Sequence, residues 1–175
     1  MPDASVMPDT SVMPDIQTTA RYCCFLVGGD CFAVASTEVA EVLRDGKITR
    51  VPHAPDAVIG LLHLRGRIVP VIDMRRRLGL ADSEPRAGRT HMVVRLNDDW
   101  YSLLVDEMLD VVEVAEHQIE HPSRPAADSP GDAVTGVFAG SGGLVHFLDP
   151  QRIVQSLARQ REQFPHRQGV PHGSV

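Results

Sequence analysis

Between Val58 and Asp73 two apolar runs face each other across the short turn Leu64-Arg65-Gly66-Arg67. That pattern reads as a buried β-hairpin whose tip carries arginines to solvent. Gly66 supplies the positive φ that such a turn needs and that a side chain resists. Alternation along a strand predicts Leu62 and Leu64 on one face and His63, Arg65 and Arg67 on the other. No nucleophile and no acid–base pair lies beside the turn. A rigid support that holds an oriented charge is what a protein-binding surface needs, and the hairpin suits that use.

Composition narrows the class further. A chain of 175 residues, 43% hydrophobic and 23% charged, is sized for one domain or two small fused ones with a real core. Net charge is −6 and aromatics are 5%, against the basic face and stacking rings of a nucleic-acid binder. No apolar run approaches the ~20 residues that cross a bilayer. The opening Met-Pro-Asp has no basic segment followed by an apolar one, so no secretory signal is expected and the chain is placed in the cytoplasm. Cys23, Cys24 and Cys31 lack the spacing of a four-ligand metal site, and neighbouring Cys23 and Cys24 on a strand point to opposite faces. The cysteines read as small apolar strand residues. His117 and His121 are four apart, but Pro122 and the surrounding loop argue against a zinc helix there. Neither metal nor cofactor is expected.

Along the chain, residues 1–20 form a leader with a Met-Pro-Asp repeat, expected to be disordered. Residues 21–160 form the folded part, and 161–175 a flexible tail. Strands are expected at Tyr22 to Val27 and Cys31 to Ala35, joined at Gly28-Gly29-Asp30, with Ser36 or Thr37 capping a short helical turn through Glu38 and Val39. After the central hairpin, Met74 to Leu80 reads as a brief helix ended by Gly79, its Arg75-Arg76-Arg77 run a solvated face. Further strands follow at Arg89 to Leu96, Trp100 to Val105, Leu109 to Val114, Val134 to Phe138 and Leu144 to Leu148, with loops over 81–88 and 122–132. Trp100 is expected to be buried. Asp149 as N-cap and Pro150 at the first helical position open a helix whose apolar stripe is Ile153, Val154 and Leu157. Many short strands and little helix make the fold class all-β, with two small barrels sharing a core.

Several of these segments, in this order, resemble the CheW-like domain of bacterial chemotaxis and motility systems. They are Cys31-Phe32-Ala33-Val34, Glu38-Val39-Ala40-Glu41-Val42, Ile48-Thr49-Arg50-Val51-Pro52, Val58 to Asp73, Leu103-Leu104-Val105-Asp106, and then Gly136 and Leu148-Asp149. The resemblance implies two SH3-like five-stranded β-barrels sharing a hydrophobic core, with short helices and a C-terminal helix. It implies a non-catalytic adaptor that couples the cytoplasmic tips of methyl-accepting chemotaxis receptors to the regulatory domain of a CheA-type histidine kinase, recruited from the cytoplasm to membrane receptor arrays. Arg65 and Gly66 match the family's Asn-Leu-Arg-Gly turn, with Leu64 before them and Arg67 after. Val39 and Glu41 match an exposed segment, and Gly60 precedes the signature strand. His63 stands where the family usually has asparagine, which puts an ionisable ring in place of a neutral amide. The partner-binding set implied is Val39, Glu41, Gly60, His63, Leu64, Arg65, Gly66 and Arg67.

Three rival readings follow from the same chain. The adaptor could serve a pilus-motility or other non-flagellar kinase pathway. Ala139-Gly140-Ser141-Gly142-Gly143 comes near a Gly-x-Ser-x-Gly elbow and would make Ser141 a hydrolase nucleophile, but the elbow needs a helix after the serine and a strand is expected there. A small-ligand-binding barrel would need a polar constellation that the sequence does not offer.

Overall fold

The computed structural model describes residues 18–80, 88–123 and 131–163, so the leader repeat and most of the two long loops and of the tail lie outside the described residues. Among the described residues eleven strands make two sheets. The first has five: β1 (Thr19–Val27), β2 (Asp30–Ala35), β9 (Glu107–Ala115), β10 (Val134–Gly140) and β11 (Gly143–Leu148), in the order β10-β11-β2-β1-β9. The second contains β3 (Val39–Arg44), β4 (Ile48–Thr49), β5 (Val58–Leu64), β6 (Arg67–Asp73), β7 (Thr90–Leu96) and β8 (Asp99–Val105), in the order β3-β7-β8-β6-β5-β4. Its sixth strand is the two-residue β4. Hairpins account for most neighbours, but β11 lies parallel to β2 and β6 parallel to β8.

Three apolar clusters explain why the strands bury both faces. Leu62, Val69, Val71, Val93 and Leu104 fill the interior of the second sheet. Cys24, Ala33, Val114, Ile119 and Phe147 fill the interior of the first. Between them runs a larger cluster drawing Phe25, Val27 and Val34 from the first sheet and Ile72, Met92, Val94 and Leu103 from the second. That middle layer is the shared core. Each such fully buried side chain contributes about 1.5–3 kcal/mol. Cys23 joins the middle layer and Cys24 the first interior, on opposite faces as adjacent strand positions require.

Helices close the ends. Asp73 caps the short α1 (Met74–Arg77), its Oδ1 accepting from the Arg75 and Arg76 amides at 3.0 and 3.4 Å. Gly79, at φ +67°, terminates it, and the Leu80 amide donates to the Arg75 carbonyl. Asp149 caps α2 (Pro150–Gln163) through the Gln151 amide at 2.8 Å. Ile153 and Leu157 of α2 enter the shared core and Val154 packs on it. The helix therefore runs three residues past the expected end of the folded part, and β1 starts two residues before its expected beginning. No helix among the described residues is long and apolar enough to cross a membrane.

Several expectations are corrected. Residues 36–38 form a turn, and Val39 opens a strand instead of continuing a helical turn. β-branched Val39 and Val42 pair with β7, and that ladder outweighs the cap signal at Ser36. Glu116–Gln118 makes one turn of 3-10 helix where a loop was expected. The Arg75-Arg76-Arg77 run is no solvated face: Arg76 is exposed, Arg75 is half-buried and Arg77 is buried. Trp100 is only partly buried.

Candidate functional site

The tip of the β5–β6 hairpin is a two-residue turn in which Arg65 (φ 48°) and Gly66 (φ 79°) both take left-handed backbone. This is the turn geometry whose twist matches paired strands. Gly66 accepts it without strain, and nothing lies within 4 Å of where its Cβ would be. Arg65, unlike asparagine, is not a residue that favours this region.

Arg65 reaches across to Glu41 on β3. Its Nε donates to Glu41 Oε2 and its Nη2 to Oε1, both at 3.0 Å. The Arg65 side chain is 72% exposed and that of Glu41 25%. The fork is bidentate, and Glu41 raises the affinity of the guanidinium for its proton. The first sheet takes no part. Two of the residues assigned by resemblance, far apart in the chain, thus make one surface pair.

Val39 and Glu41, two positions apart, do not share a face. The β3–β7 register shifts between them, placing Val39 opposite Val94 and Glu41 opposite Val93. Val94 belongs to the shared core and Val93 to the second interior. A bulge at Ala40 therefore turns Val39 against the shared core and frees Glu41 to meet Arg65.

The other candidates separate in the same way. Leu64 packs against the second interior, and His63 is exposed opposite Ile68. The expectation that Arg67 shares the face of His63 and Arg65 is corrected. Across a two-residue turn Leu64 opposes Arg67, so Arg67 joins the Leu62 and Leu64 side while Ile68 joins His63. There the Arg67 guanidinium lies 5.0 Å from the Trp100 ring centroid, a cation–π contact. Gly60 is buried where β4 crosses β5, and a Cβ on it would come within 2.4 Å of the Thr49 carbonyl oxygen. It is a place of close backbone approach and presents no side chain to a partner.

A polar cluster that the sequence did not reveal joins the two barrels. Arg75 grips Asp106, with its Nε at 2.7 Å from Oδ1 and its Nη2 at 2.7 Å from Oδ2. Arg89 makes the same kind of fork on Asp73, at 2.8 and 2.9 Å, and also donates to the Leu104 carbonyl. The Gly28 amide, in the β1–β2 turn of the first sheet, donates to Asp106 Oδ2 at 2.7 Å. Arg77 pairs with Asp132 and reaches the Ile153 carbonyl of α2. Burial acts to raise the carboxyls of Asp73 and Asp106, but the guanidiniums and amides bonded to them hold both below the usual carboxylate range. The arginine triplet was visible in the sequence; which carboxylates it would reach was not.

Ser141 lies in the two-residue turn between β10 and β11, so a strand follows it and the strand–serine–helix geometry of a hydrolase elbow is not built. His146 stands three residues beyond Gly143 on β11 and packs against Phe32 with the rings tilted by 35° and their centroids 5.4 Å apart. Among the described residues no group of three or more histidine, cysteine, aspartate or glutamate side chains is arranged to hold a metal ion.

Comparisons with known proteins bear on the family and the fold. The family model described as the CheW-like domain matches residues 21–158. Chemotaxis protein CheW of Rhizobium meliloti is 29% identical over 136 residues, covering 78% of this chain and 88% of that protein. Chemotaxis protein CheW of Bacillus subtilis is 27% identical over 145 residues, covering 83% and 93%. Protein FrzA of Myxococcus xanthus is 30% identical over 145 residues, covering 81% and 88%. Among solved structures, the scaffolding protein TtCheW from Thermoanaerobacter tengcongensis aligns with a TM-score of 0.69 at 24% identity, over 75% of this chain and 90% of that one. The shared fold is two SH3-like barrels.

Proposed function

The chain belongs to the CheW-like domain family, and on that premise we propose that it is a non-catalytic adaptor of chemotaxis signalling. Its partners in this reading are the regulatory domain of a CheA-type histidine kinase and the cytoplasmic tips of methyl-accepting chemotaxis receptors. It works in the cytoplasm and is recruited to membrane receptor arrays without inserting into the bilayer.

The observation that carries the reading is the Arg65–Glu41 fork on a rigid hairpin tip. A guanidinium held at fixed orientation, most of it open to solvent, offers a partner carboxylate a ready bidentate site. Glu41 beside it offers the opposite charge, so the patch discriminates by charge pattern as well as by sign. Catalysis is not needed. Two faces of one rigid scaffold bring receptor and kinase into a geometry in which the state of one biases the other. Repetition in an array strengthens contacts that are individually modest.

A second reading keeps the fold and changes the pathway: an adaptor of a pilus-motility or other non-flagellar kinase system. The similarity to Protein FrzA, a relative not named for chemotaxis, favours considering it.

The test is co-sedimentation of the purified chain with receptor-containing membranes, with and without the CheA-like kinase, for the wild type and Arg65→Glu. Wild type that pellets with receptor and recruits kinase, alongside a variant that does neither, supports the coupling role. A wild type that associates with no chemoreceptor and no such kinase overturns it and favours the second pathway.

A further inference from the structure

The two hairpins of the second barrel part company at their tips. β6 and β8 pair in parallel from Asp73↔Leu104 back to Val71↔Ser102, and there the ladder stops. Pro70 has no N–H with which to extend it. Beyond that point each strand pairs only within its own hairpin, Arg67 with Leu64 and Asp99 with Leu96. A groove of about 370 Å³ opens between them, with Arg67, Ile68 and Pro70 on one wall and positions 98–101 on the other.

This groove does not end at the fork. Pro70 and Tyr101 also line a second groove of about 320 Å³, whose other walls include Val51, Leu61, Val154 and Leu157. The two share Pro70 and Tyr101 and make one trough, apolar toward α2 and acidic at the β7–β8 tip, where Asp98 and Asp99 are exposed. Among the described residues neither aspartate is in an ion pair. The nearby Arg67 cation is committed to the face of Trp100. Ile68, 62% exposed, and Val51, 39% exposed, leave apolar surface uncovered at the two ends.

We propose that this trough docks an extended segment of a partner protein that lays apolar side chains over Pro70, Tyr101 and Leu157 and ends in arginine or lysine against Asp98 and Asp99. Charge decides the occupant. An acidic segment would bring carboxylates up to two unpaired carboxylates, whereas a basic one satisfies them and is steered in by a chain of net charge −6. From Tyr101 to Asp98 the strand rises about 10 Å, at ~3.4 Å per residue. An apolar anchor two to four residues before the basic side chain spans that distance. The proposal stands on the trough alone and does not depend on the adaptor reading.

The experiment titrates the isotope-labelled full chain with the capped peptide acetyl-Leu-Val-Leu-Arg-Arg-amide and with its acetyl-Leu-Val-Leu-Glu-Glu-amide counterpart. The arginine peptide is expected to shift the amide resonances of Val51, Ile68, Asp99, Trp100 and Tyr101. Its dissociation constant should rise about three- to tenfold in the doubly substituted Asp98→Asn, Asp99→Asn chain, and similarly on going from about 0.1 M to about 1 M salt. Both aspartates are exposed, Asp98 in the turn and Asp99 at the first position of β8, and an unchanged spectrum of the free variant verifies its fold. Shifts that fall elsewhere, no shifts at millimolar peptide, equal binding of the glutamate peptide, or an unchanged constant in the variant each overturn the proposal.

Discussion

Arg65 holds both carboxylate oxygens of Glu41, 24 residues before it in the chain, from a backbone twisted to φ 48°. The pair is exposed and contributes little to the fold, while the backbone under it is unfavourable for arginine. Local stability is thus given up where a partner contact is proposed. Arg65→Glu is expected to melt with the wild type and to bind receptor or kinase about tenfold or more weakly. Arg65→Asn, better suited to this turn, should raise Tm by about 2–4 °C while losing the same binding. Thermal melts and co-sedimentation of the two variants check both halves. A variant that loses binding only in proportion to lost stability would show the arginine to be structural.

Asp106 is where the two barrels are tied together. It receives Arg75 from α1, the Gly28 amide from the first sheet and, at 3.7 Å, Arg89 Nε. The Arg75 and Asp106 side chains are both largely buried, so removing one leaves the other charge uncompensated. Asp106→Asn is expected to lower the free energy of unfolding by about 3 kcal/mol. Replacing both partners, as in Arg75→Met with Asp106→Leu, should be milder than the sum of the single changes. Urea denaturation of the four proteins measures this cycle.

What the sequence made legible was local. Gly28-Gly29 and Arg65-Gly66 each announced a hairpin, and Asp149-Pro150 announced α2, because turn and cap chemistry acts over two to four residues. The parallel pairings β6–β8 and β11–β2 left no such mark, since strands joined through other strands carry no turn between them. The face of Arg67 was misread because alternation was carried straight through a turn that reverses the chain. The split between Val39 and Glu41 depends on one bulge residue, Ala40, whose type does not announce a bulge. The buried arginines were misread for a related reason. A triplet of cations at helical spacing is solvated unless carboxylates arrive from elsewhere, and Asp106 and Asp132 lie 31 and 55 residues away in the chain.

Acid should unfold the protein in two stages. His91 is buried, hydrogen-bonded through Nδ1 to Ser102 Oγ at 2.8 Å, and its pKa is lowered first by burial and then by Arg89, with Asp45 opposing. The unfolded chain takes up this proton near pH 6.5, before the folded protein does. Stability is therefore full above that pH and falls as pH drops toward the lower folded value, by at most about 1.4 kcal/mol per pH unit for one group. Asp73 and Asp106 act lower down. Their folded pKa values are depressed, so what they contribute is present above about pH 4 and is lost as pH falls through the folded values. Urea midpoints at pH 7.5, 5.5 and 3.5 follow both stages. His91→Gln should flatten the change between the first two and leave the second drop, toward pH 3.5, in place.

Gly60 and Gly66 look alike in the sequence of the hairpin and differ in what they do. At Gly60 (φ +155°) an added methyl would meet the Thr49 carbonyl oxygen at 2.4 Å and Ile48 Cγ2 at 2.6 Å. The first of these is backbone and cannot swing aside, so β4 would have to leave β5. Gly60→Ala is expected to destabilise by about 3 kcal/mol or more. At Gly66 (φ +79°) there is open space, and alanine meets only the strain of a left-handed backbone, about 1 kcal/mol. Both variants weaken partner binding if the hairpin is the contact, but by different routes. Gly60→Ala should lose binding together with its folded population, and cooling that restores the fold should restore the binding. A folded Gly60→Ala that still fails to bind would place the partner directly against β5, at a position where this structure shows only the chain's own Ile48 and Thr49.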